Sequence, residues 1–279
     1  MKKELLFVSI LLFVFMTGCD KSDTSSEGEL STMIDSIFLL AGNIQYSGEL
    51  PFVSGQSFGS PITIFVNDNP IDIVSQPSLI WIDEFMSNGQ NEIRISGITQ
   101  DMDIGIFQQS LRACKTVFKK RLRLSDDNRR YIFNVEIPCI NPLYSDETKL
   151  PDNQEHASVE ILKQIERLYD VLHNREGEQA AAIIHHGQSV FLRACGYGDS
   201  EMDTWLEIQN EKYSSNAWDI RELDLAQCEF VWGEKIVLVY RKTTTGPNDV
   251  FEFDWPTNIS YPMPGKLRFT WFKESLIIW

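Results

Sequence analysis

Basic residues are scarce in this chain. Lysine and arginine number 25 against 40 aspartates and glutamates, a formal charge of −15. A surface with that balance repels phosphate backbones and anionic headgroups, which removes nucleic acid binding from the expected functions. The acidity either keeps the protein soluble or captures a basic partner electrostatically, in which case association falls with added salt. After the first twenty residues there is no apolar run long enough to span a bilayer. No cysteine stands in a Cys-x-x-Cys motif, so zinc and dithiol chemistry have no spacing to support them. A serine nucleophile elbow is missing, because Gly187-Gln188-Ser189-Val190 lacks the second glycine and falls in a predicted helix. A phosphate loop is missing too, since Gly196-Tyr197-Gly198 has neither the lysine nor the preceding strand.

What is present begins with residues 1–20, MKKELLFVSILLFVFMTGCD. Lys2 and Lys3 lead an apolar run over 5–16, and small Thr17 and Gly18 precede Cys19, the layout of an export signal. The run is shorter than the roughly 20 residues of a spanning helix, so no permanent membrane helix is expected. Met16-Thr17-Gly18-Cys19 resembles the lipobox of bacterial lipoproteins, with Met16 where leucine is commonest and Glu4 an acid in the charged leader. The resemblance implies a diacylglycerol thioether on Cys19, cleavage just before it, and acylation of the new terminus by a fatty acid such as palmitate. Residues 1–18 are then a signal peptide, and the protein is a membrane-anchored lipoprotein of the cell envelope facing the periplasm. Asp20 resembles the inner-membrane retention signal of enterobacterial lipoproteins. Several buried acyl chains, at about 0.8 kcal/mol per methylene, make such an anchor stable.

Length favours two domains behind that anchor. Residues 19–36 are polar, serine-rich and acidic, a flexible tether. Over 37–144 short strand-like runs alternate with turns. Ile62-Thr63-Ile64-Phe65-Val66 meets Asn67-Asp68-Asn69-Pro70, Leu79-Ile80-Trp81-Ile82 meets Ser87-Asn88-Gly89, and Glu92-Ile93-Arg94-Ile95 alternates strictly. Later runs cover 104–107, 116–124 and 131–137, and the spacing predicts an all-β antiparallel sandwich. The segment over 64–95, with its late Asn88-Gly89 turn feeding an alternating strand, resembles immunoglobulin-like and jelly-roll modules, at the level of fold and without functional residues. The polar stretch containing Pro142 and Pro151 places an inter-domain linker at 145–157.

The period then changes. Ile161, Ile165, Leu168 and Leu172 predict a helix over 158–174, a second follows over 178–193, and Ser200 with Asp203 opens a third as a capping box. Strands return over 218–230, 235–242, 250–253, 267–272 and 276–279, with a turn at Trp232-Gly233-Glu234. The expected fold is therefore an all-β sandwich followed by an α+β domain over 158–279, three helices packed on an antiparallel sheet. That order resembles the NTF2-like and cystatin-like cone, but the usual hairpin between the second and third helices has no room between Cys195 and Ser200.

With Cys19 lipidated, four cysteines remain. Four allow three pairings, and the oxidising exported compartment favours two local disulfides, Cys114 with Cys139 and Cys195 with Cys228, each giving roughly 3 to 4 kcal/mol. The alternative is that they stay reduced as small buried hydrophobes. His185 and His186 point about 100° apart on a helix, so gripping a metal needs a third ligand such as His173 or Glu178. The expectation is instead one packed and one exposed histidine, with no metal or other cofactor. Asp199, Glu201 and Asp203 fit helix capping, with calcium ligation as the alternative, and Asp101 with Asp103 poses the same choice. Trp205, Trp218, Trp232, Trp255, Trp271 and Trp279, with Phe251, Phe253, Tyr261, Phe269 and Phe272, are expected mostly in the core, the excess lining a concave sheet for a ligand or partner. No catalytic constellation emerges. The expected function is a non-enzymatic binding or adaptor module for another envelope protein, an immunity protein being one version. The alternatives are an envelope hydrolase with acidic catalytic residues in the C-terminal domain, and a structural or assembly lipoprotein.

Overall fold

β-Branched and aromatic residues at every second position make much of this chain strand. The computed structural model describes residues 36–48, 50–110, 113–137, 139–244, 246–254 and 266–279, and within them the fold is β-rich, with four antiparallel sheets and four helices. Cys19 and the rest of the lipobox, the tether ahead of Ser36, Trp255 and Tyr261 lie outside the described residues. Residues 34–279 form one compact unit. No helix among the described residues is long and apolar enough to cross a membrane.

The first sheet is built on β1 (Ser36–Ser47). On one side β1 pairs with β5 (Ser78–Trp81) and then with β2 (Leu50–Ser54); on the other it pairs with β7 (Met102–Gln109), which pairs with β8 (Cys114–Leu122). The second sheet runs β4 (Asn69–Val74), β3 (Ile62–Val66), β6 (Gly89–Ser96), β9 (Arg130–Val135). Asn67 and Asp68 turn the β3–β4 hairpin with both φ angles positive, 48° and 59°, which asparagine and aspartate tolerate better than most residues. The third sheet runs β10 (Thr148–Lys149), β16 (Leu267–Phe272), β13 (Val237–Thr243), β12 (Cys228–Trp232), with β14 (Gly246–Asn248) on β13 and β17 (Ser275–Ile278) on β16. A two-stranded ribbon joins β11 (Asp219–Ile220) to β15 (Phe253–Asp254).

The helical layer has four members where three were expected. Helix α1 (Gln154–His173) starts four residues early because the Asn153 side chain accepts the His156 N–H at 3.1 Å, a cap that the polar stretch before it concealed. The expected second helix is two, α2 (Gly177–Ile184) and α3 (His186–Ala194), parted at His185. The break brings Gly187 onto the end of the chain, where a Cβ would lie 2.6 Å from the Trp279 Cα. Helix α4 (Asp199–Ser214) is capped at Gly198, whose N–H is accepted by Glu201 at 2.8 Å, so Glu201 and not Asp203 closes the turn.

Two large apolar clusters hold these layers. One lies between the first two sheets and also takes Phe191, Ile236, Ile277 and Trp279 from the second half; the other lies between the helices and the third sheet. The third sheet is thus covered on both faces. Asn69, fully buried, locks the seam: its Oδ1 accepts the N–H groups of Lys235 (2.6 Å) and Ile236 (3.1 Å) while its amide donates to Asn67 O.

The local disulfides are not formed. Cys139 bonds Cys195 across 56 residues, with Cα atoms 4.7 Å apart, and Cys114 and Cys228 are free thiols. The clusters explain the choice. Cys139 and Cys195 share the core between the first two sheets, whereas Cys114 sits on the opposite face of the first sheet and Cys228, on β12, packs against the core between the third sheet and the helices. Burial pushes the Cys228 thiol up to about 11 and raises that of Cys114 as well.

Non-reducing peptide mapping is expected to recover one crosslinked peptide pair, Cys139 with Cys195, with Cys114 and Cys228 alkylated. Replacing both bonded cysteines by alanine should cost roughly 4 kcal/mol in denaturant unfolding. Asn69→Ala orphans two buried N–H groups and should cost about 2 to 5 kcal/mol by the same measurement.

Candidate functional site

The histidine pair resolves into one enclosed and one exposed residue. His186 faces out. His185 Nε2 lies 2.9 Å from the Tyr213 hydroxyl, its Nδ1 lies 3.2 Å from Gln188 Oε1, and the Trp205 ring stands on edge to it at 4.7 Å. Burial, then the charge of Lys212, pushes this imidazole down to about 4, so it is neutral. The network sets its tautomer: Tyr213 donates to Nε2, and Nδ1–H donates to Gln188. Burial also pushes the Lys212 ammonium down to about 8, beside the Tyr213 ring at 4.9 Å. A neutral imidazole with both nitrogens engaged has no free lone pair for a metal or a proton transfer. Its role here is to bind α2, α3 and α4 together. His173, the proposed third ligand, stacks instead on Tyr169 of its own helix at 5.7 Å, and no group of three metal-ligating residues gathers among the described residues.

Three of the five acidic candidates are engaged in local structure, while Asp101 and Asp203 are exposed. Asp103 meets Arg121 at 3.2 Å and accepts the Ile44 N–H, Asp199 meets Arg193 at 3.4 Å, and Glu201 caps α4. Two strongly perturbed carboxyls belong to residues the sequence did not mark. Asp83, in the turn after β5, accepts the N–H of Ile37, and burial pushes it up to about 7. Glu84 beside it is raised by burial and opposed by the Arg268 guanidinium. These two acids are in the first half, whereas the hydrolase alternative placed its catalysts in 158–279. They sit at the seam, where the Glu84 carbonyl accepts the Trp279 indole N–H at 3.1 Å and the Asn141 amide at 2.9 Å.

The aromatics of the second half mostly build core. Trp218, Trp271, Trp279, Phe251 and Phe269 are buried; Trp218 donates to Lys212 O and lies 3.8 Å under the Arg175 guanidinium. The exposed aromatic surface is on the first sheet. Because strand side chains alternate, Ile37, Leu39 and Ala41 of β1 face the main core while Phe38, Leu40 and Ile44 point to the other side, where they form a separate small buried cluster with Phe107. Trp81 pairs with Phe38 across β5 and β1, ring to ring at 5.5 Å, and Phe107 stacks on Phe38 at 5.5 Å from the other side. The row is bordered by exposed side chains: Trp81 is 41% exposed, Leu79 39% and Tyr46 47%. The signal was available in Leu79-Ile80-Trp81-Ile82, apolar at both parities, but a strand with both faces buried reads the same way.

No known protein family, curated protein sequence or solved structure matches this chain. The described residues define a β-rich protein that leaves Trp81, Leu79 and Tyr46 exposed on its first sheet.

Two titrations with opposite signs test the buried groups. Asp83 has a raised folded value, so its contribution is fully present below about 3.8 and is lost as pH rises through about 7. Asp83→Asn should flatten that part of the stability–pH curve and raise the melting temperature at pH 8. His185 has a lowered value, so its contribution is present above about 6.5 and is lost as pH falls towards about 4. His185→Gln should remove that second slope in thermal unfolding scans.

Proposed function

We propose that this chain is a lipid-anchored bacterial envelope protein, held through Cys19 and facing the periplasm, that serves as a non-enzymatic binding or adaptor module for another envelope protein. Its first half is an immunoglobulin-like all-β sandwich and its second half an α+β part. The observation that carries this reading is the exposure of Trp81, Leu79 and Tyr46 on one face of the first sheet, set beside the buried Phe38 and Phe107. Tryptophan and tyrosine supply large contact areas at little entropic loss and dominate binding hot spots. Leaving Trp81 and Leu79 in water on the outward face does nothing for the main core, so their presence there is explained by a partner. A body crosslinked by the Cys139–Cys195 disulfide, with a large core on each face of the third sheet, presents that face without rearrangement.

The test is crosslinking and capture from intact envelopes. One envelope protein should be enriched by the native chain and lost by about tenfold or more with Trp81→Ala combined with Leu79→Ser. The melting temperature should stay within a few degrees. Equal capture by native and variant chains would overturn the assignment of this face. An unmodified terminus on protein recovered from the cell interior would overturn the anchor.

A further inference from the structure

The charge of this protein is unevenly distributed. Within residues 114–130 fall seven of its 25 basic residues, Lys115, Lys119, Lys120, Arg121, Arg123, Arg129 and Arg130, against two of its 40 acids, Asp126 and Asp127. The fold lays these cations along one edge. Strand β8 pairs with β7 alone, so its far side ends the first sheet, and the following turn delivers Arg129 and Arg130 to β9, the edge of the second sheet.

Some of these charges are spent within the protein. Arg121 meets Asp103 at 3.2 Å, Arg129 meets Asp126 at 3.3 Å, and Arg130 meets Asp68 at 2.9 Å and Glu92 at 2.7 Å. Lys115, Lys119, Lys120 and Arg123 have no ion pair among the described residues; Lys119 lies over the Tyr46 ring at 4.7 Å. Lys120, Arg121, Arg123 and Arg129 line an open hollow of about 430 Å³ with Ser125 and Asp126. The Asp126 carboxylate, which accepts the Arg123 N–H at 3.0 Å and pairs with Arg129, is one anion against four cations in that lining, so the hollow stays positive.

We propose that the β8 edge, with the turn into β9, is a docking surface for the phosphate-bearing face of an anionic lipid bilayer. Lysines along an open strand edge also block edge-to-edge pairing, which accounts for Lys115, Lys119 and Lys120. It does not account for Arg123 and Arg129, which lie beyond the strand around the hollow. Nor does it account for Leu124, which is 60% exposed at the tip of that turn between Arg123 and Ser125. Cations flanking an outward apolar side chain match a headgroup layer with hydrocarbon beneath it, and neither a free anion nor an acidic protein strand needs Leu124. The acidic remainder of the molecule does not forbid the contact. At physiological ionic strength the screening length is about 8 Å, so the charges nearest the surface decide. The inference does not require Cys19 to carry lipid.

The full chain is mixed with vesicles of phosphatidylcholine, alone or with phosphatidylglycerol, and backbone hydrogen exchange is followed across 114–130. Exchange there should slow on the anionic vesicles only, and the slowing should vanish at high salt. Charge reversal with Lys119→Glu, Lys120→Glu and Arg123→Glu should reduce the bound fraction about tenfold or more. Unchanged exchange in the two cores shows that the variant is folded. A lipid at Cys19 acts on both vesicle types alike, so its absence cannot imitate failure of the edge. Equal exchange on neutral and anionic vesicles would overturn the proposal, as would equal slowing by inorganic pyrophosphate or by a short RNA without vesicles.

Discussion

A sheet buried on both faces is the constraint on which this structure depends. Ile236, Ile277 and Trp279 leave the third sheet towards the first two, while Val237, Val239, Phe269 and Ile278 leave it towards the helices. Neither side can present polar groups to water, so the polar chemistry of the seam must be satisfied internally. Asn69 does this for the N–H groups of Lys235 and Ile236, Thr270 donates to Lys235 O at 2.6 Å, and Trp279 and Asn141 converge on the Glu84 carbonyl. The raised carboxyls of Asp83 and Glu84 follow from the same burial. Their perturbation marks a packed junction as readily as a reactive centre.

What the sequence disclosed follows from which contacts are local. Glu92-Ile93-Arg94-Ile95 alternates because one face of β6 is wet, and Ile62 to Val66 with Asn67-Asp68 gives both strand and turn, so these elements stand where expected. Helix α1 was equally visible in Ile161, Ile165, Leu168 and Leu172, all buried. Residues 36–42 carry no such period, since β1 is covered on both sides over most of its length. The break at His185 is marked in sequence only by Gly187, whose need to be glycine comes from its packing on Trp279, 92 residues away.

The cysteines and aromatics show the same limit. Pairing Cys139 with Cys195 depends on which core each residue enters, and separation along the chain carries no information about that. Counting tryptophans drew attention to the second half, where a sheet buried twice over consumes large rings as filling. One tryptophan outside that half, Trp81, is the one left on an open sheet face. A residue's count therefore pointed away from the surface, and only the parity of β1 and β5 shows which ring remains in water.

The two proposed surfaces belong to one sheet, and their relation has a consequence for orientation. From β8 the order passes through β7 and β1 to β5, three strand spacings, or about 14 Å. With the β8 edge against headgroups, the sheet stands upright and Trp81 is held one sheet width above the membrane, facing sideways. The β1 start at Ser36 pairs with Gln109, which pairs with Cys114 at the start of that same edge. Net charge alone would place so acidic a protein away from an anionic surface. Local charge reverses that expectation for one edge, and repulsion of the remaining faces then favours the upright pose over a flat one, leaving the aromatic row open to a neighbour on the same membrane.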